Sequence, residues 1–282
     1  QSLAKDLFPV LGHRPVAEIS PKELLQALRA VEARGALDVA SRLLQRSGAV
    51  FRYGIAAGYC DRNPAADLQG ALKTRKVTHR PALKEADLPE FLAKLDAYDG
   101  HLLTKLALRF LLLTFVRPGE LRAAEWQEFQ LEGDAPTWRI PAERMKMREE
   151  HIVPLSRQAV AVLQEIHALT GNGRLVFPQQ NKPEKPMSEN TLLYAMYRMG
   201  YHQRATPHGF RATASTILNE MGWRPDVIER QLAHAERNKV RAAYHRSEYL
   251  ADRRKMMQAW ADYLDQLAAG DTGKVVPIRA AS

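Results

Sequence analysis

His208-Gly209-Phe210-Arg211, Leu232-Ala233-His234 and Ala242-Ala243-Tyr244-His245-Arg246 all fall within the stretch from Thr206 to Arg246. Thr206-Pro207 starts a helix, because proline suits a first-turn position. His208 and Arg211, three residues apart, then project from one face of it. Both side chains donate hydrogen bonds to an oxyanion, and the positive end of the helix adds to their pull. His234 lies on the helix before Tyr244. An ordinary tyrosine has a pKa near ~10 and is a poor nucleophile at neutral pH, but neighbouring Arg and His stabilise a phenolate. A chain with 9 His and 9 Tyr also produces such neighbours by chance. The stretch is therefore either a basic surface or half of a site whose remaining cations come from elsewhere.

Two other segments offer those cations. Arg117 precedes Pro118-Gly119-Glu120-Leu121, directly after the apolar run Leu102–Val116. An arginine at the mouth of a helix is held on rigid structure, and Glu120, one turn on, is placed to orient a neighbouring cation. Lys146 sits in the polar turn from Arg144 to Glu150, beside Arg148, and a lysine on a turn tip reaches into a groove. Each is equally a solvated surface residue when taken alone.

Composition narrows the partner. The chain has 282 residues, 45% of them hydrophobic, and a net charge of +9, with a pI near 9.7. That excess favours a polyanion, of which nucleic acid is the commonest. The one cysteine, Cys60, excludes an internal disulfide and a cysteine-based zinc site. It reads as an inert, half-buried residue and fits a reducing cytoplasm. No metal constellation is expected from His208, His234 and His245, which show no HxxxH spacing. The apolar run from Leu102 carries Lys105 and Arg109 and is too short and too charged to span a membrane. The chain opens on Gln1 without a methionine, which reads as a fragment lacking an N-terminal part.

Two units are expected along the chain. In the first, residues 1–70, Ser20-Pro21-Lys22-Glu23 opens a helix with a capping box. A second helix runs from about Leu37 to Gly58, with Ala40, Leu43, Leu44, Val50 and Ile55 inward and Arg42, Arg46 and Arg52 on the other face. Residues 71–80, with Lys73, Arg75 and Lys76, read as a basic linker suited to lying along a phosphate backbone. The second unit, residues 81–268, is mainly α. Trp126–Leu131, Thr137–Ile140 and His151–Pro154 form a small three-stranded antiparallel sheet within it. An irregular connection covers residues 176–186. Ser188 starts a helix, and Tyr249–Leu267 is an amphipathic C-terminal helix carrying Trp260. Residues 269–282 read as a disordered tail.

The ordered set Arg117, Lys146, His208-x-x-Arg211, His234 and Tyr244 resembles the tyrosine recombinase (phage integrase) family, in its prophage and genomic-island branch. The words Thr114-Phe115-Val116-Arg117-Pro118-Gly119-Glu120-Leu121 and Gln231-Leu232-Ala233-His234 strengthen the likeness, which covers nearly the whole chain. One departure is His245, where many relatives have asparagine after the tyrosine.

The resemblance implies a mainly α protein with a helical core-binding domain and a catalytic domain of the DNA breaking-rejoining fold, clamped around duplex DNA. Tyr244 would attack a phosphate and leave a 3′-phosphotyrosine. Arg117 and Arg211 would hold the non-bridging oxygens, with His208 and His234 assisting by proton transfer or hydrogen bonding. Lys146 would protonate the leaving 5′-oxygen, and Glu120 would orient its neighbours. Arg42, Arg46, Arg52, Lys73, Arg75, Lys76, Arg144 and Arg148 would contact DNA. No cofactor and no metal are implied. The expected partners are double-stranded DNA attachment sites, further copies of the chain in a tetramer, and accessory DNA-bending and directionality proteins. The expected place is the bacterial nucleoid. Trp260 is placed either to dock on a neighbouring protomer or to pack on its own domain. Two other outcomes share the scaffold: a type IB topoisomerase-like nicking and resealing enzyme, and a non-catalytic DNA-binding regulator.

Overall fold

Ser20 caps the first long helix as its sequence predicts. Its hydroxyl accepts the Glu23 N–H, while the Glu23 carboxylate accepts the Ser20 N–H at 3.0 Å and the Ser20 hydroxyl at 2.7 Å. These bonds, with the Arg14 guanidinium behind them, hold the Glu23 carboxyl down at about 2. The computed structural model describes residues 2–74, 81–234 and 249–270. The chain divides into two units, Gln1–His79 and Arg80–Ser282.

In the first unit, α1 (Ser2–Asp6) and α2 (Phe8–Leu11) precede α3 (Pro21–Ala33) and α4 (Leu37–Ala56). Leu24, Ala27, Leu28 and Val31 of α3 face α4. The inward stripe of α4 is Ala40, Leu43, Ser47, Gly48, Phe51 and Gly54, not the stripe expected from its largest apolar residues. Val50 and Ile55 are 50% and 42% exposed. Each lies one position, about 100° of helix, off the buried line. The glycines make that line possible. A side chain at Gly54 would come within 2.9 Å of the Cys60 sulfur, so Cys60 is buried rather than half-buried. Arg42, Arg46 and Arg52 are exposed on the other face of α4, and Lys73 is exposed further on. Arg75 and Lys76 lie outside the described residues.

The second unit is built on α6 (Leu102–Thr114), which follows α5 (Leu88–Asp96). Ten residues of α6 are buried, Leu103 to Leu113 among them. After α7 (Pro118–Arg122), three strands pair antiparallel in chain order: β1 (Phe129–Gln130), β2 (Thr137–Ile140) and β3 (His151–Pro154). The last two have the expected bounds. The first is shorter than expected, because Trp126–Glu128 forms a 3-10 turn. Trp138 stacks on Phe129, with ring centroids 5.1 Å apart.

Next come α8 (Arg157–Thr170), capped by the Ser156 hydroxyl, and a two-stranded hairpin of β4 (Pro178–Gln179) and β5 (Lys182–Pro186). That hairpin replaces the irregular connection expected there; its prolines obscured the pairing. It is rooted by Arg122, whose Nε donates to the Met187 carbonyl at 2.5 Å. Then follow α9 (Thr191–Arg198), α10 (Gly209–Glu220), α11 (Pro225–Gln231) and α12 (Leu250–Ala268). A turn at Glu189 and Asn190 follows Ser188, so α9 begins later than the sequence suggests. The start of α10 also moves: His208 occupies its cap position, not its first turn. Gly209 is required there, since any side chain would collide with the Pro81 carbonyl where the chain enters the unit.

The C-terminal helix α12 packs on its own unit. Met256, Met257, Trp260, Ala261 and Leu264 are all 2% exposed or less. The Trp260 indole donates to the Leu112 carbonyl at 2.9 Å and meets Phe115 edge to face. Its apolar face is therefore occupied within the chain and is not available to a neighbouring protomer. No helix among the described residues is long and apolar enough to cross a membrane.

Replacing Trp260 by alanine removes one of the largest buried side chains. It is expected to destabilise the protein by about 3–5 kcal/mol. Because the contact is made within one chain, the loss in urea midpoint should not change with protein concentration; a concentration-dependent loss would show that the helix packs between copies.

Candidate active site

The C-terminus of α11 is the centre of the site. The helix ends in a Schellman turn: Ala233 N–H bonds back to Arg230 at 3.1 Å and His234 N–H to Glu229 at 3.1 Å. Ala233 takes the left-handed position, φ 49°, where glycine is customary. The turn leaves three carbonyls with no partner in the helix, and each receives a side-chain donor. Gln231 O accepts from His151 Nε2 at 3.1 Å, Leu232 O from Arg211 Nη2 at 2.6 Å, and Ala233 O from Arg117 Nη2 at 3.0 Å.

The C-terminus of α6 is treated in the same way. Phe115 is left-handed at φ 40° and closes the helix through its N–H to Leu111 at 2.7 Å. Its carbonyl accepts from Arg211 Nη1 at 3.0 Å. Two helix C-termini, both negative ends of peptide dipoles, are thus bridged by the Arg211 guanidinium. The chain leaves the second left-handed turn through Val116 into Arg117, the cap of α7.

Glu120 fixes Arg117 from the other side. Its carboxylate accepts the Arg117 backbone N–H at 2.8 Å and Nη1 at 2.6 Å. Glu120 is buried, and Arg117 is 24% exposed at its side chain. Arg211 is only 6% exposed. Burial, and then the neighbouring Arg117 charge, push the Arg211 guanidinium down to about 10, so it remains cationic at neutral pH. The two cations are faced by the buried Glu120 carboxylate and, beyond His234, by the exposed Glu229 carboxylate. A guanidinium has five N–H donors. Arg211 uses Nη1 for one carbonyl and Nη2 for the other and for His234, and Arg117 uses Nη1 for Glu120 and Nη2 for Ala233, so of five N–H groups each keeps at least two.

His234 completes the cluster. Its Nε2 lies 3.2 Å from Arg211 Nη2 and its Nδ1 lies 2.7 Å from the Glu229 carboxylate. A guanidinium only donates, so Nε2 is the acceptor and the proton sits on Nδ1, facing Glu229. The imidazole is 46% exposed, beside the buried Arg211.

The structure thus gathers Arg117, Glu120, Arg211 and His234 in one place. His208 stands exposed at the α10 cap, one helical turn before Arg211. Lys146 is exposed in the connection between β2 and β3. Tyr244 lies outside the described residues. Arg144 is occupied inside the fold: its guanidinium pairs with Glu128 and donates to the Glu120 carbonyl. The side chain expected to contact DNA is thus engaged within its own unit and only 21% exposed. Arg148 is exposed, with φ 55°.

Sequence reasoning missed the groups behind the site. Gln231 and Arg253 are fully buried and His151 is 3% exposed. Gln231 stands in the word before His234 and could have been noticed. Nothing in the charged run around Arg253 separates it from a surface arginine. Among the described residues, no three His, Cys, Asp or Glu side chains come together to hold a metal ion.

Anchored guanidiniums stand on a mainly helical unit with a small antiparallel sheet, at the C-terminal ends of two helices. Residues 81–250 match the phage integrase family and residues 1–71 the phage integrase central domain. The chain belongs to the phage integrase family. It is 48% identical to the integrase of Enterobacteria phage P4 over 275 residues, covering 92% of this chain and 62% of that integrase. It is 39% identical to the prophage integrase IntA of Escherichia coli K12 over 276 residues, covering 98% of this chain and 66% of that protein. The chain therefore spans a little under two thirds of these two relatives.

Solved structures share the fold. A lambda integrase dimer bound to a COC′ core site matches with a TM-score of 0.66 at 18% identity, over 88% of this chain and 70% of that one. The Tn1549 transposon integrase in complex with circular intermediate DNA matches at 0.60 and 18%, over 86% and 90%.

His151 makes stability depend on pH. Burial, then the Arg253 and Arg230 charges, push its imidazole down to about 3. In the unfolded chain the group titrates at its ordinary value near ~6.5. Below that value the unfolded state takes up a proton that the folded state does not, so stability is full above pH 6.5 and falls towards pH 3. The expected slope is up to about 1.4 kcal/mol per pH unit. Urea midpoints between pH 7.5 and 5 should fall in the wild type and fall less steeply in His151→Phe, which starts lower.

Proposed function

We propose that the protein is a site-specific DNA recombinase that integrates and excises a prophage or genomic island by cutting and rejoining duplex DNA through a 3′-phosphotyrosine at Tyr244. The observation that carries this reading is the joint anchoring of Arg117, Arg211 and His234 on the α11 turn. Both guanidiniums keep N–H donors that a phosphate would accept, and His234 stands beside them. The integrases and prophage integrases among its relatives support the same reading.

In this reading the Tyr244 oxygen attacks phosphorus, the phenol proton passes to His208, and the bond to the 5′-oxygen breaks. Lys146 protonates that oxygen. Arg117 and Arg211 stabilise the extra charge on the non-bridging oxygens, and His234 adds a hydrogen bond once its Nε2 carries a proton and turns from Arg211 to the phosphate. Glu120 keeps Arg117 in place. No oxidation occurs and the phosphodiester energy is retained in the covalent link, so a new 5′-hydroxyl reseals the strand by the reverse step.

Residues 1–70 would act as the core-type DNA-binding domain, 71–80 as the basic linker and 81–268 as the catalytic domain. Arg42, Arg46, Arg52, Lys73, Arg75, Lys76 and Arg148 would supply phosphate contacts. A related lambda integrase has been seen as a tetramer bound to a Holliday junction; four copies of this protein on paired attachment sites, at the host nucleoid, fit the same chemistry. The burial of Trp260 means that copies would meet through surfaces other than the apolar face of α12. Accessory DNA-bending and directionality proteins would choose between integration and excision.

The test is a nicked suicide duplex carrying the junction sequence that bounds the encoding element. Full-length protein should form a covalent adduct at the 3′-phosphate, and Tyr244→Phe should bind the duplex equally well and form none. Arg211→Lys and Arg117→Lys are expected to slow adduct formation by about 10²–10³-fold. A wild type that binds and never forms an adduct would leave only a DNA-binding regulator. Relaxation of supercoils without strand exchange between two sites would point to a topoisomerase-like enzyme.

A further inference from the structure

Gln231 and Arg253 occupy the space behind the two helix ends that hold Arg117 and Arg211, and neither belongs to the proposed catalytic set. The Gln231 side-chain oxygen accepts from Arg253 Nε at 3.0 Å and Nη2 at 2.8 Å. Its amide nitrogen donates to the Thr114 carbonyl at 3.4 Å, at the C-terminus of α6. Its own carbonyl takes the His151 ring at 3.1 Å. Arg253 Nη2 also donates to the Ile152 carbonyl. Both side chains are fully buried.

The neighbours of these bonds matter most. Thr114 is followed by Phe115, whose carbonyl holds Arg211. Gln231 is followed by Leu232 and Ala233, whose carbonyls hold Arg211 and Arg117. One amide therefore ties together the two backbone turns that aim both guanidiniums, and one buried cation on α12 fixes that amide. A buried arginine is costly to desolvate and persists only where acceptors are built around it. A buried glutamine likewise has four hydrogen-bonding positions to satisfy. A simple apolar core would fill the same volume more cheaply, so the polar pair is a device for setting geometry.

We infer that Gln231 and Arg253 are positioning residues. Through the spacing of the α6 and α11 C-termini they set the separation and aim of Arg117 and Arg211, and hence the fit to a phosphate in its transition state. The inference rests on the oxyanion role proposed above. It assigns the C-terminal helix a part in aligning the site, although that helix supplies none of the residues proposed above to contact DNA.

The informative variant is the double change Gln231→Leu with Arg253→Met, because it removes both polar partners together and leaves neither buried alone. The single variants Gln231→Leu and Arg253→Met accompany it. Full-length proteins are compared for melting temperature, duplex affinity and single-turnover adduct formation on the suicide substrate. A second substrate carries a methylphosphonate at the scissile position, which lacks the negative charge that the arginines meet.

The double variant should remain folded and bind the duplex within about threefold of wild type, yet form adduct about a hundredfold more slowly. On the methylphosphonate the gap should shrink to under about tenfold, since misaimed arginines matter less there. A double variant that cleaves at the wild-type rate, or is equally slow on both substrates, overturns the inference.

Should the wild type form no adduct at all, the recombinase reading fails, and ¹⁵N spectra of the histidines decide the positioning role independently. The wild type should show His234 as the Nδ1–H tautomer with Nε2 accepting from Arg211. Loss of that signature in a folded double variant supports positioning, and an unchanged His234 signal overturns it.

Discussion

Carbonyl groups at the C-terminus of a helix have no partner within the helix, and buried ones must find donors elsewhere. In this protein two such ends, those of α6 and α11, face one interior region, and arginines answer them. Arg211 spans both ends, and Arg117 takes the last carbonyl of α11. The same bonds satisfy the backbone and fix two guanidiniums in space. Structure and site chemistry are therefore one arrangement: without the arginines the helix ends would be buried unsatisfied, and without the helix ends the arginines would be unaimed.

The arrangement is held under tension. Phe115 and Ala233 both adopt left-handed backbone, a conformation that costs a non-glycine residue of order 1–3 kcal/mol. Each is the residue whose carbonyl turns towards an arginine. Burial, and then the neighbouring Arg117 charge, lower the pKa of Arg211. In the proposed reading an oxyanion would enter a site whose donors are already in place, which is the condition for electrostatic preorganisation. The cost is met by the large apolar core around α6 and α12, where Trp260, Phe115 and Leu112 lock the scaffold to which the turns are attached.

Much of this was legible from patterns. The Ser20 capping box, the strands at Thr137–Ile140 and His151–Pro154, and the buried run of α6 all follow from local rules of capping and periodicity. The candidate residues Arg117, Glu120, Arg211 and His234 were legible because short words in a fixed order set them apart. Local rules failed where packing outvoted them. Val50 and Ile55 look like core residues, yet the core line of α4 runs through Ser47, Gly48 and Gly54, because close approach by Cys60 needs a small residue more than an apolar one. Arg144 looks like a surface cation, yet it is drawn inward by Glu128, which is buried beside Trp138. Trp260 looked equally able to dock on another copy, and the acceptor on Leu112 decides for its own chain.

By itself the sequence determined the class of elements, the two-unit order and the residue types able to handle a phosphate, since all of these are written in near neighbours and ordered words. Tertiary structure alone decided that Arg117 and Arg211 share one turn, that the His234 proton faces Glu229, and that Gln231 and Arg253 stand behind them. The physical reason is range. Capping, periodicity and turn chemistry act across a few residues, whereas these contacts join positions up to 117 residues apart. They are chosen by which buried carbonyls lack a donor once the helices have packed.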